Sequence, residues 1–133
     1  LSIVGVDVFT EFPHKGVRST FDDLQKYPED QNFIKLKQWV NSKKLKERVT
    51  LIRNYTNHAV EHVKDQSLDF IFIDADHKYE AVIDDIKLWV PKVKKGGLVS
   101  GHDIDLDGVE KAVNEYNKNY KIDIDNVWFW IKE

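Results

Sequence analysis

The chain is expected to fold as one α/β domain, a mostly parallel sheet with helices on both faces and an antiparallel pair at its C-terminal end. Three observations predict this. Short apolar runs alternate with longer segments of helical periodicity, the pattern of strands joined by crossover helices. Leu68–Ile73 is apolar almost throughout, as in strands covered on both faces. Two β-like pieces, 121–124 and 127–131, close the chain and are joined by Asp125-Asn126.

In order, Leu1–Val8 is a short β-branched run ending in an acid and a valine, and reads as a buried strand. Pro13, His14 and Gly16 mark a loop, and 22–30 reads as irregular or short helical structure around Pro28. From Asp30, residues Phe33, Ile34, Leu36, Trp39, Val40 and Leu45 recur at helical spacing, with lysines between them on a solvated face. Val49–Arg53 is the second strand, Asn54–Asn57 a turn, and Ala59, Val60 and Val63 predict a helix ending near Asp65. Leu68–Ile73 is the third strand. An amphipathic helix over Tyr79–Val93 follows, with Pro91 breaking its last turn. Lys95-Gly96-Gly97 is a turn before the strand Leu98–Ser100, and Gly108–Tyr120 is the last helix.

The 133 residues give one domain by the length prior, with enough apolar residues (41%) for a core. A net charge of −3 advertises neither nucleic acid nor an anionic membrane as partner. No apolar run is long enough to span a bilayer, and no signal peptide opens the chain. With no Cys, disulfides and thiolate metal sites are excluded, which suits a reducing, cytoplasmic setting. There is also no Met, and only two glycines precede residue 96, so a segment is expected to be missing from the start.

In open α/β sheets ligands bind beyond the carboxyl ends of the strands. Those ends carry Asp7, then Asn54, Tyr55 and Thr56, then Asp74-Ala75-Asp76-His77, then Gly101-His102-Asp103. Asp7 could accept hydrogen bonds from a ribose diol or serve as a turn acid. Asp74, His102 and Asp103 offer two carboxylates and an imidazole, a donor set suited to Mg²⁺ or Mn²⁺. His77, three residues after Asp74, remains free as a general base, because imidazole changes charge near neutral pH. The plainer alternative is that His77 and His102 only bond loop backbone. Asp76 reads rather as a cap for the Tyr79–Val93 helix. His58 and His62, four apart, lack the glutamate of a zinc-protease helix and read as surface residues.

The run Asp69–Glu80 with its D-x-x-H, then Asp84-Asp85-Ile86, Trp89-Val90-Pro91, Gly96-Gly97 and Gly101-His102-Asp103, resembles the second half of a class I S-adenosylmethionine-dependent methyltransferase. It is most similar to the small bacterial group with D-x-x-H after one strand and H-D after the next, and to cation-dependent sugar O-methyltransferases. Asp7 and Val49–Arg53 extend the likeness over most of the chain. The resemblance implies a Rossmann-like sheet and S-adenosyl-L-methionine as cofactor. It implies Asp7, Asn54, Tyr55, Thr56 and Asp74 for cofactor binding, Asp74, His102 and Asp103 for Mg²⁺ or Mn²⁺, and His77 as the base. The acceptor it implies is a small hydroxyl compound such as a sugar, with a homo-oligomer compatible with the pattern and residues 9–16 shaping the acceptor pocket. Family members open with a strand and a glycine-rich loop. Leu1–Val8 matches their second strand, so the domain is expected to be incomplete at its N-terminus. Two rivals stand: a metal-dependent glycosyltransferase using Asp74-Ala75-Asp76 as a D-x-D, and a non-catalytic α/β binding module.

Overall fold

A computed structural model describes residues 2–8 and 31–133. The expectations for Leu1, for the loop at Pro13, His14 and Gly16, and for 22–30 lie outside the described residues. The chain divides into two compact units, Leu1–Ala59 and Val60–Glu133.

In the first unit, β1 (Ile3–Asp7) pairs in parallel with β2 (Val49–Arg53), from Ile3 opposite Val49 to Asp7 opposite Arg53. Parallel neighbours need a crossover, and α1 (Gln31–Ser42) lies within it. Phe33 and Val40 are the buried residues of α1. The helix stops before Leu45 because Lys44 turns to a left-handed φ of 56° and the Leu45 amide bonds back to the Val40 carbonyl, a left-handed helix ending. Ile3 and Val4 are exposed, against the expected buried strand. Among the described residues β1 pairs with β2 alone, which leaves its other edge open. After β2, α2 (Thr56–Ala59) lasts one turn and passes into a 3₁₀ turn at Val60–His62, where a helix to Asp65 was expected.

The second unit holds a four-stranded sheet in the order β3-β4-β6-β5, from β3 (Leu68–Ile73), β4 (Val93–Gly101), β5 (Lys121–Ile122) and β6 (Trp128–Ile131). β3 and β4 are parallel, and β6 is antiparallel to both β4 and β5. Between β3 and β4 runs α3 (Tyr79–Trp89), ending in a 3₁₀ turn at Val90–Lys92 that contains Pro91. α4 (Asp107–Tyr116) follows β4, with Val109, Ala112 and Val113 buried at helical spacing and Asp107 and Glu110 in the first turn, where acids suit the helix dipole.

Lys95-Gly96-Gly97 is not a turn but part of β4. Pairing with β3 jumps from Leu68–Val93 to Phe70–Leu98, and Gly96 takes a φ of 76° that glycine adopts at no steric cost. The Gly96 amide donates to the Lys132 carbonyl and the Lys132 amide to Gly97, so the glycines shape an irregular strand instead of ending one. The core gathers Ile71 and Val99 from the strands, Val82, Ile83 and Ile86 from α3, Val109, Ala112 and Val113 from α4, and Trp128 and Trp130 from β6. On the opposite side of β3, Phe70 and Phe72 are exposed.

Candidate active site

The parallel pairing of β3 and β4 brings two chemically loaded loops to one edge. Ile73 lies opposite Gly101, and the His102 amide donates to the Ile73 carbonyl at 3.1 Å. Asp74 and His102-Asp103 therefore leave adjacent strands side by side. Gly101 is a buried contact residue: a Cβ there would lie 2.2 Å from the Trp128 ring and 2.5 Å from the Ile73 carbonyl oxygen. Glycine is needed for close approach, and the strand end is tightly packed.

Asp103 has a φ of 61°. A non-glycine residue there costs about 1–2 kcal/mol, less for Asp than for most. The strained residue presents both carboxylate oxygens to imidazoles. Oδ2 lies 2.9 Å from His77 Nε2, and Oδ1 lies 2.9 Å from His102 Nδ1. An ionised carboxylate only accepts, so the proton is assigned to Nε2 of His77 and to Nδ1 of His102. Asp103 thus orients both rings, each through one nitrogen.

His77 reaches Asp103 from the loop after β3. There Asp76 Oδ1 accepts a hydrogen bond from the Lys78 amide at 2.9 Å. Asp76 thus closes a turn just ahead of α3, whose N-cap is Lys78 without a side-chain cap bond, so the expected helix cap is displaced by two residues. Gly108, in the first turn of α4, lies against the same loop, and a Cβ there would sit 2.3 Å from the His77 carbonyl oxygen. Beyond it, the Tyr79 hydroxyl donates to Glu115 at 2.6 Å, and that bond is the main cause of a Tyr79 pKa raised above its ordinary value.

Asp74, His102 and Asp103 each offer a ligand atom within 4.8 Å of the others, the one such group of three among the described residues. Two carboxylates and an imidazole at that separation fit a divalent cation with room for further oxygen ligands. Asp76 is not in this group. A small pocket, lined by Ile73, Asp74, His77, Val82, His102 and Trp128, adjoins these groups.

In the first unit the structure brings Asp7 beside Asn54, whose amide donates to the Asp7 carbonyl at 3.0 Å. Buried Asn54 uses its Oδ1 to accept from the Tyr55 amide, closing the turn into α2 with Thr56. Two residues of the second unit's site escaped sequence reasoning, Gly108 and Trp128. Neither carries a local signal, since each matters only through a contact made across the fold.

Residues 2–104 match the model of a methyltransferase domain. The chain belongs to this methyltransferase family. The fold is likewise shared with solved methyltransferases. The O-methyltransferase NovP superposes with a TM-score of 0.63 at 19% identity, over 98% of this chain and 60% of that one. A methyltransferase from Geobacter sulfurreducens gives 0.60 at 14% identity, over 98% and 58%. CalS11, a TDP-rhamnose 3'-O-methyltransferase, gives 0.60 at 12%, over 98% and 57%. The chain therefore spans about three-fifths of the length of its structural relatives. No curated protein matches it in sequence. No helix among the described residues is long and apolar enough to cross a membrane. The family's Rossmann-like α/β sheet with an antiparallel C-terminal pair is the fold expected from the sequence.

Proposed function

We propose that the chain is the greater part of an S-adenosylmethionine-dependent O-methyltransferase acting, with a divalent cation, on a small hydroxyl compound such as a sugar. One observation carries this reading: in a chain of methyltransferase family, Asp74, His77, His102 and Asp103 meet at the carboxyl ends of two neighbouring parallel strands. The sugar is favoured by likeness to CalS11, which acts on TDP-rhamnose.

His77 is the catalytic base in this reading. Asp103 holds its Nε2 proton and turns Nδ1 toward an acceptor hydroxyl, whose proton it takes. Asp74, His102 and Asp103 would hold the cation, Mg²⁺ or Mn²⁺. A cation bound there supplies a Lewis-acidic centre that favours the ionised form of an acceptor hydroxyl. Asp7 is assigned to the cofactor ribose, the turn of Asn54, Tyr55 and Thr56 to the adenine, and Asp74 to the cofactor side of the site as well.

Transfer of labelled methyl groups from S-adenosylmethionine to a panel of nucleotide sugars tests this on the full-length protein. Excess EDTA should remove turnover, added Mg²⁺ should restore it, and Asp74→Ala should behave as the chelated enzyme does. Undiminished turnover in EDTA contradicts the role given to the cation.

A further inference from the structure

We propose that Trp128, from the antiparallel strand β6, is a positioning residue that holds the Gly101-His102-Asp103 turn in its cation-binding shape; the inference rests on the cation reading above. Three independent contacts carry it. The indole is fully buried, and its Nε1 donates to the His102 carbonyl at 3.0 Å. Its ring lies where any side chain on Gly101 would be, since a Cβ there would sit 2.2 Å and 2.6 Å from two of its ring carbons. Trp128 also stands opposite Gly101 in the β4–β6 pairing and lines the pocket shared by Asp74, His77 and His102.

The physical consequence lies in the peptide that joins His102 to Asp103. Its carbonyl is the one held by the indole, and its rotation sets the φ of Asp103. At 61° that φ is one a non-glycine residue leaves when nothing restrains it. A flip of this peptide releases the strain but turns the His102 carbonyl away from the indole and frees the turn that carries the carboxylate. The indole N–H, which can only donate and has no water to turn to, opposes the flip. Trp130 gives the contrast within the same core. It stacks on Trp128 at 5.5 Å and is nearly as buried, but it stands opposite Val99 instead of Gly101 in the β4–β6 pairing.

The test is Mn²⁺ binding to the full-length protein, read by the electron paramagnetic resonance signal of the free ion, with no dependence on turnover. Trp128→Phe should weaken Mn²⁺ affinity about 10–100-fold, the range seen when groups orienting metal ligands are removed, whereas Trp130→Phe should stay within about threefold of wild type. Should Trp128→Phe fail to fold, a benzothienylalanine at 128 keeps the ring and removes only the N–H, and the same weakening is expected. An affinity unchanged by loss of the N–H, in a protein whose Mn²⁺ site is abolished by Asp74→Ala, overturns the positioning role and leaves the cation site standing. Equal losses in Trp128→Phe and Trp130→Phe overturn it too, reducing Trp128 to packing. Mn²⁺ binding insensitive to Asp74→Ala removes the cation reading, and the inference falls with it.

Discussion

Asp103 joins two imidazoles through one carboxylate, and this single side chain orients both His77 and His102. Each ring is held by Asp103 through one nitrogen, which fixes how the imidazole is turned. Removing the base and keeping the rest is the direct check at this scale. His77→Ala should lower turnover about 10²–10⁴-fold while cofactor affinity holds, measured by steady-state kinetics beside a binding titration. An unchanged rate would take the proton-transfer role from His77. That these four residues meet was legible in the sequence because each follows a recognisable strand end, and strand ends are where such sheets bind ligands. The bridge itself was not legible, since it depends on a left-handed Asp103 that no local pattern marks.

Secondary-structure elements hold these residues by close approach more than by flexible loops. Gly101 lets β4 press against the Trp128 ring and the Ile73 carbonyl, and Gly108 lets α4 rest on the His77 loop. Gly101→Ala should therefore destabilise the fold by about 1–3 kcal/mol, seen as a lower urea midpoint. The tie between α3 and α4 is gentler. Tyr79 bonds Glu115, and the Lys111 amino group sits 4.2 Å above its ring. The bond favours the protonated phenol, so its stabilisation is present below the ordinary value of 10.0 and lost as pH rises through the raised folded value. Tyr79→Phe should lower the melting temperature slightly at neutral pH, and the gap from wild type should close on the alkaline side; a gap constant across pH contradicts this.

Periodicity made most elements readable. Leu68–Ile73 fell where expected because a continuous apolar run has few other uses. The failures came where a local signal served a distant partner. Gly96-Gly97 looks like a turn, yet its amide and carbonyl pair with Lys132, near the chain end. The helix expected to reach Asp65 tightens to 3₁₀ after Ala59, a change its apolar spacing does not encode.

At the scale of the molecule, strand order is what converts a list of acids and histidines into a site. β3 and β4 are neighbours although a helix and a 3₁₀ turn separate them in sequence, and β6 enters beside β4 to put Trp128 beneath the His102 carbonyl. Alternation of strand and helix predicted the class of sheet but not this order, which is set by pairing between distant segments. Family membership adds what the geometry alone lacks, a reason to expect a methyl donor in a chain that spans about three-fifths of its structural relatives. The most direct test is calorimetric titration of the full-length protein with S-adenosylhomocysteine and, separately, with a UDP-sugar, both in Mg²⁺. Saturable binding of S-adenosylhomocysteine, weakened by Asp7→Ala, is the predicted result. Binding of the UDP-sugar alone would contradict the account.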